Sequence, residues 1–304
     1  MNEKGLCGMN NLGNTCYLNS ILQCLFHCKK FVIYILDNKD KLIEGLLYEF
    51  YELLNEIWFS DNKIISPSQF INQLKENHIF YRNSNQQDSH ECLITILDDF
   101  ECELLNNNIK ISGNLEWYNN NDIFKTNKQN FMQEIFYGLY QNKVICEHNH
   151  VSITKEPFID LSLPCIKGKN IEELIENIEQ KEIMHKDNKY FCDKCKNYVC
   201  AEKNTIIEEL PKYNLIIHLK RFENNTQKIN DFFEYPFKLE IKEKIYHLFG
   251  VVNHTGNQIG GHYYSYIKHI DNEWYEMNDS RVDKISDINK IVNTNAYILF
   301  YQLE

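Results

Sequence analysis

The stretch Gly8-Met9-Asn10-Asn11-Leu12-Gly13-Asn14-Thr15-Cys16-Tyr17-Leu18-Asn19-Ser20 sets a polar, glycine-containing loop directly before a helix, with a cysteine at the junction. Leu18, Ile21, Leu22 and Leu25 recur at i, i+3, i+4 and i+7, one face of an amphipathic helix. Cys16 therefore stands in a first helical turn, where the helix dipole and unpaired backbone N–H groups favour the reactive thiolate. The same N–H groups can hold an oxyanion, and Asn11, just upstream, can add an amide donor if the loop folds back. Taken alone, this position suits a nucleophile and a buried thiol equally. Cys24, Cys28, Cys92 and Cys102 lie within apolar helical stretches and read as core thiols, and Cys165 and Cys200 as structural.

The stretch Ile259-Gly260-Gly261-His262-Tyr263-Tyr264-Ser265-Tyr266-Ile267 places a histidine at the opening of a strand, behind two glycines that let another backbone pass close. Among the 11 histidines, His262 alone has this combination; His27, His78, His218 and His247 read as surface or satisfied core residues. Further on, Trp274-Tyr275-Glu276-Met277-Asn278-Asp279-Ser280 supplies Asn278 and Asp279. Either suits acceptance of the imidazole Nδ1 proton, completing a Cys/His/Asn-or-Asp triad.

Around these stretches the chain divides by texture. Helical periodicity continues through Ile43, Leu46, Leu47, Phe50, Leu54 and Ile57. Ser66 as N-cap and Pro67 at the first helical position open a third helix, and a fourth is expected from about Asp88 to Phe100. Residues 106–130 are dense in asparagine and read as a surface excursion. After Phe131 come β-branched and aromatic runs, Ile206–Leu210, Leu215–Phe222, Tyr246–Val252, His262–Ile267 and Ala296–Tyr301, expected to form an antiparallel sheet. One helix interrupts them, with Ile171, Leu174, Ile175 and Ile178 on its apolar side. Helices first and strands later indicate an α+β fold with a groove where the halves meet.

The 304 residues are 43% apolar and 25% charged, ample for a buried core. A net charge of -11 offers no overall attraction to nucleic acid or an anionic membrane and suits a basic partner. The longest apolar run, Phe31–Leu36, is far short of the roughly 20 residues that span a bilayer. No leader pattern is visible at the start, so cytoplasm or nucleus is the expected location. An odd total of 11 cysteines points to core thiols, metal ligands and a nucleophile more than to a disulfide framework.

Residues 8–20 resemble the cysteine box of the ubiquitin-specific proteases, a papain-like family of deubiquitinating enzymes. Gly260–Ile267 is similar to that family's histidine box, Trp274–Asp279 to its closing motif, and Leu210–Phe222 to a further signature. The resemblance implies one catalytic domain over residues 1–304, with a helical thumb (about 1–130), β fingers (about 131–215) and a β-rich palm (about 216–304). It implies a thiol protease that hydrolyses the bond after the C-terminal glycine of ubiquitin. Cys16 is then nucleophile, His262 base, Asn11 oxyanion donor, and Asn278 the orienting residue ahead of Asp279, which also affects catalysis.

Asn85-Gln86-Gln87-Asp88-Ser89-His90-Glu91 opens the fourth helix with Asp88 and Glu91 one turn apart, which by itself is an N-cap with first-turn acid. It is also similar to the family's Gln-Gln-Asp box, whose acidic positions bind the arginine-containing ubiquitin tail. The resemblance thus implies substrate contacts at Gln87, Asp88, Glu91, Gly260, Gly261 and Tyr263. Ubiquitin and ubiquitinated proteins are the implied partners, with room for an activating protein. Two other readings are a catalytically weak ubiquitin-binding module and a protease for another ubiquitin-like modifier.

Cys192-Asp193-Lys194-Cys195 is a C-x2-C knuckle, and Cys146, His148 and His150 supply further ligands for a tetrahedral structural zinc. The family's usual pattern is two C-x2-C pairs, and here the first is reduced to Cys146-Glu147-His148-Asn149-His150. Register favours His148 as the second ligand; loop slack allows His150. A zinc-free fingers hairpin is the alternative, and no catalytic cofactor is expected.

Overall fold

The stripe beginning at Leu18 is buried on every side. Helix α1 (Cys16–Phe26) exposes none of its residues, because it packs against the other helices on one flank and against the large sheet on the other. Two of its buried polar side chains donate to backbone carbonyls: Gln23 Nε2 to Cys7 O at 2.7 Å and Ser20 Oγ to Tyr17 O at 2.9 Å. The computed structural model describes residues 4–83, 85–106, 131–223, 227–257 and 260–304, so the asparagine-rich residues 107–130 lie outside it.

The thumb adds α2 (Lys29–Asp37), α3 (Leu46–Phe59), α4 (Ser68–Asn77), α5 (Ser89–Asn106) and α6 (Phe131–Phe136). Phe26, Phe31, Phe50 and Phe100 form its aromatic centre, with neighbouring centroids 4.8–5.9 Å apart. The short apolar run in α2 is helical, burying Phe31, Tyr34 and Ile35 at i, i+3 and i+4. Helix α4 starts later than expected: Pro67 is its N-cap residue, and Ser66 Oγ accepts from Asn10 Nδ2 at 2.8 Å rather than capping the helix. Cys102, read as a core thiol, is exposed.

Two strands lead the palm, β1 (Gly8–Met9) and β2 (Ile64–Ile65), paired in parallel ahead of Cys16. The main sheet runs, edge to edge, Arg281–Ile285, Trp274–Asn278, Gly261–Lys268, Lys244–Gly256, Ala296–Leu303, Asn214–Lys220 and Asp160–Pro164. All its neighbours are antiparallel except the last pair, in which Ile217 faces Leu161 in a parallel ladder.

Residues 131–215 therefore do not all belong to the fingers. Asp160–Pro164 completes the palm sheet, helix α7 (Ile171–Ile178) buries Ile171, Leu174 and Ile175 against that sheet's core, and α6 joins the thumb. Asn170 and Glu173 close a capping box that starts α7 in place. The fingers proper are Gly138–Cys146, Val151–Phe158, Ala201–Glu209 and Glu182–Met184, with the ribbon Tyr190–Cys192 and Asn197–Val199. Their own buried apolar cluster is small: Cys146, Cys192, Val199 and Ala201.

Candidate active site

Cys16 opens α1 with only 4% of its surface exposed, and its thiol is the strongest influence on the ring of His262. On the other side of that ring, Nε2 donates to Asn278 Oδ1 at 2.7 Å. The orienting bond therefore uses Nε2, not the Nδ1 expected from the chain, and Nδ1 is left for Cys16. Sheet register brings the two side chains together. Ser265 faces Met277 in the antiparallel pair, so His262 and Asn278 are diagonal neighbours on one face of the sheet. The Cys16 thiol above all, then the bond to Asn278 and the charge of Asp279, hold His262 against its burial at a pKa of about 9.

Asp279 is not part of that line. Its φ of 51° turns the chain away from the strand, and its carboxylate reaches the loop that precedes Cys16. Asp279 Oδ2 accepts from Asn11 Nδ2 at 2.9 Å, Oδ1 from Asn19 Nδ2 at 2.7 Å, and its carbonyl from Met9 N at 2.8 Å. Gly8 allows this approach, since a Cβ there would lie 2.3 Å from Ser280 O. Asn11 Oδ1 accepts from Gly13 N and Thr15 N, both at 3.1 Å, so the loop does fold back over the start of α1. One amide hydrogen of Asn11 goes to Asp279, and the Cys16 N–H, in a first turn, has no intrahelical acceptor.

A cavity of about 340 Å³ reaches Tyr263, next to His262 in the chain, and is lined by Gln86, Asp88, Glu91, Phe222, His254 and Tyr297 among others. Asp88 is both cap and wall. Its Oδ1 accepts from His90 N at 2.8 Å and Glu91 N at 3.0 Å, while Oδ2 accepts from Tyr297 Oη at 2.6 Å and Tyr263 Oη at 3.5 Å. Gln86 clasps the histidine loop: its Nε2 donates to Gly261 O and its Oε1 accepts from Gly261 N, each at 2.9 Å. Gly261 also lies flat on His254, where a Cβ would come 2.1 Å from Nε2. Burial pushes His254 down to about 4, so that ring is neutral. Gln87 also lines the cavity and donates its Nε2 to Asn83 Oδ1 at 3.1 Å. Gly260 caps the loop by donating to Asn257 Oδ1 at 3.1 Å.

Gln86, His254 and Tyr297 were thus missed by sequence reading. For Gln86 the Gln-Gln-Asp box itself was the signal; nothing local marks Tyr297. A larger cavity, about 820 Å³, opens behind the Asn278–Ser280 turn between Leu6, Tyr275 and Val282, apart from Cys16.

The sequence profile described as ubiquitin carboxyl-terminal hydrolase matches residues 7–301. This chain belongs to that family. It is 30% identical to ubiquitin carboxyl-terminal hydrolase Usp2 of Drosophila melanogaster, over 99% of this chain and 35% of that protein. With human ubiquitin carboxyl-terminal hydrolase 2 it shares 30% identity, over 100% of this chain and 56% of the relative. The chain thus spans about a third to a half of the length of these relatives. Among solved structures it is similar to the SAGA DUB module Ubp8/Sgf11/Sus1/Sgf73 bound to monoubiquitin, with TM-score 0.82, 26% identity, and coverage of 100% of this chain and 70% of that one. The same module bound to ubiquitin aldehyde matches with TM-score 0.80 and 26% identity, over 100% of this chain and 70% of that one. The fold is accordingly the α+β fold of the ubiquitin-specific proteases.

At the end of this family member's fingers, one ligand atom each from Cys146, His150, Cys192 and Cys195 lies within 4.8 Å of all the others. His150 Nδ1 is 3.2 Å from Cys195 Sγ and 3.6 Å from Cys192 Sγ, against an N···S edge of about 3.6 Å in a tetrahedron built on usual Zn–N and Zn–S bonds. His148 Nδ1 approaches Cys195 Sγ at 3.5 Å but stands outside the four-membered cluster. The turn decides between them: Asn149, at φ 64°, donates to Cys146 O at 2.8 Å and brings His150 back over the knuckle. The backbone N–H of Cys195, aided by His150, pulls Cys192 down to about 6, a thiolate ready for a metal. The four donors fit a zinc ion.

Proposed function

We propose that this chain is a cysteine-type deubiquitinase, cleaving the peptide or isopeptide bond after the C-terminal glycine of ubiquitin. The Cys16–His262–Asn278 line, with a cavity lined by Asp88, Glu91 and the neighbouring Tyr263, carries this reading. The likeness to structures bound to monoubiquitin and to ubiquitin aldehyde supports it.

In the step so assigned, His262 Nδ1 takes the Cys16 proton and the thiolate attacks the glycine carbonyl. The Cys16 N–H and the second Asn11 amide hydrogen face the developing oxyanion. The His262 proton then passes to the leaving lysine amine, and water, deprotonated by the same ring, hydrolyses the thioester. Asp88 and Glu91 pair with a cationic ubiquitin tail in the channel. Zinc held by Cys146, His150, Cys192 and Cys195 would staple the fingers and take no part in the chemistry.

A ubiquitin carrying a C-terminal electrophile tests this. A one-to-one adduct at Cys16, absent in Cys16→Ala, is expected. Binding without an adduct would make the chain a ubiquitin-binding module, and preferential reaction with another modifier's tail would change the substrate; either result overturns the proposal.

A further inference from the structure

Asn278 can face His262 with either end of its amide, and the two ends have opposite consequences. With Oδ1 toward the ring it accepts the Nε2 proton, which leaves Nδ1 bare on the Cys16 side and able to receive the thiol proton. Turned over, the amide would donate to Nε2, confine the ring proton to Nδ1, and close that route. Nothing in asparagine itself chooses between them.

A neighbour on the same strand does. Residues 274–278 are extended, so Glu276 projects from the same face as Asn278. Its Oε1 accepts from Asn278 Nδ2 at 3.3 Å. Glu276 is half-buried, stands opposite Tyr266 on one side and Asp283 on the other, and has Arg281 nearby. A carboxylate only accepts. Reversing the Asn278 amide would therefore set Oδ1 against Oε1 at one end and two donors against each other at the imidazolium end.

We propose that Glu276 is a positioning residue that selects the productive orientation of the Asn278 amide and, through it, the competent tautomer of His262. The assignment rests on Cys16 and His262 acting as nucleophile and base, but it does not require ubiquitin to be the substrate.

The test is therefore read on the thiol as well as on turnover. The rate of Cys16 alkylation by iodoacetamide, followed by mass spectrometry, is measured beside kcat and KM on a fluorogenic C-terminal ubiquitin derivative. Glu276→Ala and Glu276→Gln are each expected to lower the alkylation rate and kcat by about 5-fold, the worth of one hydrogen bond, with KM unchanged. In an Asn278→Ala background Glu276→Ala should cost nothing further. Asn278→Asp has no amide to orient and sets a second carboxylate beside Glu276, so Glu276→Ala should cause no loss in that background. Wild-type behaviour of Glu276→Ala, or a loss that persists in either Asn278 background, overturns the proposal. If only the ubiquitin derivative fails to react while the alkylation pattern holds, the substrate assignment falls and the role of Glu276 stands.

Discussion

Asn278 and Asp279 are adjacent in the chain and face different partners, because a strand alternates its side chains and the turn begins between them. Asn278→Ala removes the acceptor for His262 Nε2 and is expected to lower kcat roughly 10²-fold, the lower end of what general acid–base assistance contributes. Asp279→Ala instead releases Asn11 and the buried Asn19, so it should lower the urea midpoint as well as kcat. Equal effects of both substitutions on rate and on stability would contradict this division. His262 adds a pH dependence. Its folded pKa of about 9 lies above the ordinary histidine value, so its contribution to stability is complete below about pH 6.5 and is lost as pH rises through 9. The stability gap between wild type and His262→Ala, followed by urea unfolding across about pH 5.5–10, should therefore narrow at the alkaline end. A gap that widens there would refute the assignment.

The N-terminus of α5 shows how one element serves structure and site together. Asp88 accepts two first-turn N–H bonds while its other oxygen holds Tyr297 at the channel wall. Asp88→Ala is expected to cost about 1 kcal/mol of stability. An asparagine side chain caps nearly as well, so Asp88→Asn should keep most of the stability and yet weaken binding of a cationic ubiquitin tail, read by calorimetry with the Cys16→Ala protein. Unchanged affinity would confine Asp88 to capping. Helices such as α1, α3 and α5 were legible because their 3.6-residue stripes are strictly local. The start of α4 was not, since the Ser66 hydroxyl serves Asn10 from a distant loop. Nor was the short Asp160–Pro164 strand, whose place depends on a parallel partner more than fifty residues on.

For the molecule as a whole, thumb and palm share broad apolar cores, whereas the fingers' own cluster is small. Small layers of this kind need a staple. Zinc removal by a chelator is accordingly expected to loosen residues 138–158 and 182–209 while leaving the palm intact, measured by hydrogen exchange, with about one zinc per chain recovered by metal analysis. Cys195→Ser should reproduce the effect without chelator. Protection unchanged in the fingers after metal stripping would count against a structural ion.

Periodicity and residue type, which act over a turn of helix or a strand's length, determined the α+β class, the helix that presents Cys16, the histidine at a strand opening and the knuckle thiols. The tertiary structure alone decided which nitrogen of His262 meets Asn278, that Asp279 binds the loop before Cys16, that Gln86 rather than Gln87 clasps Gly261, and that His150 rather than His148 joins the thiols. Those outcomes depend on strand register and loop return between segments as far as 268 residues apart, and linear spacing carries no record of either.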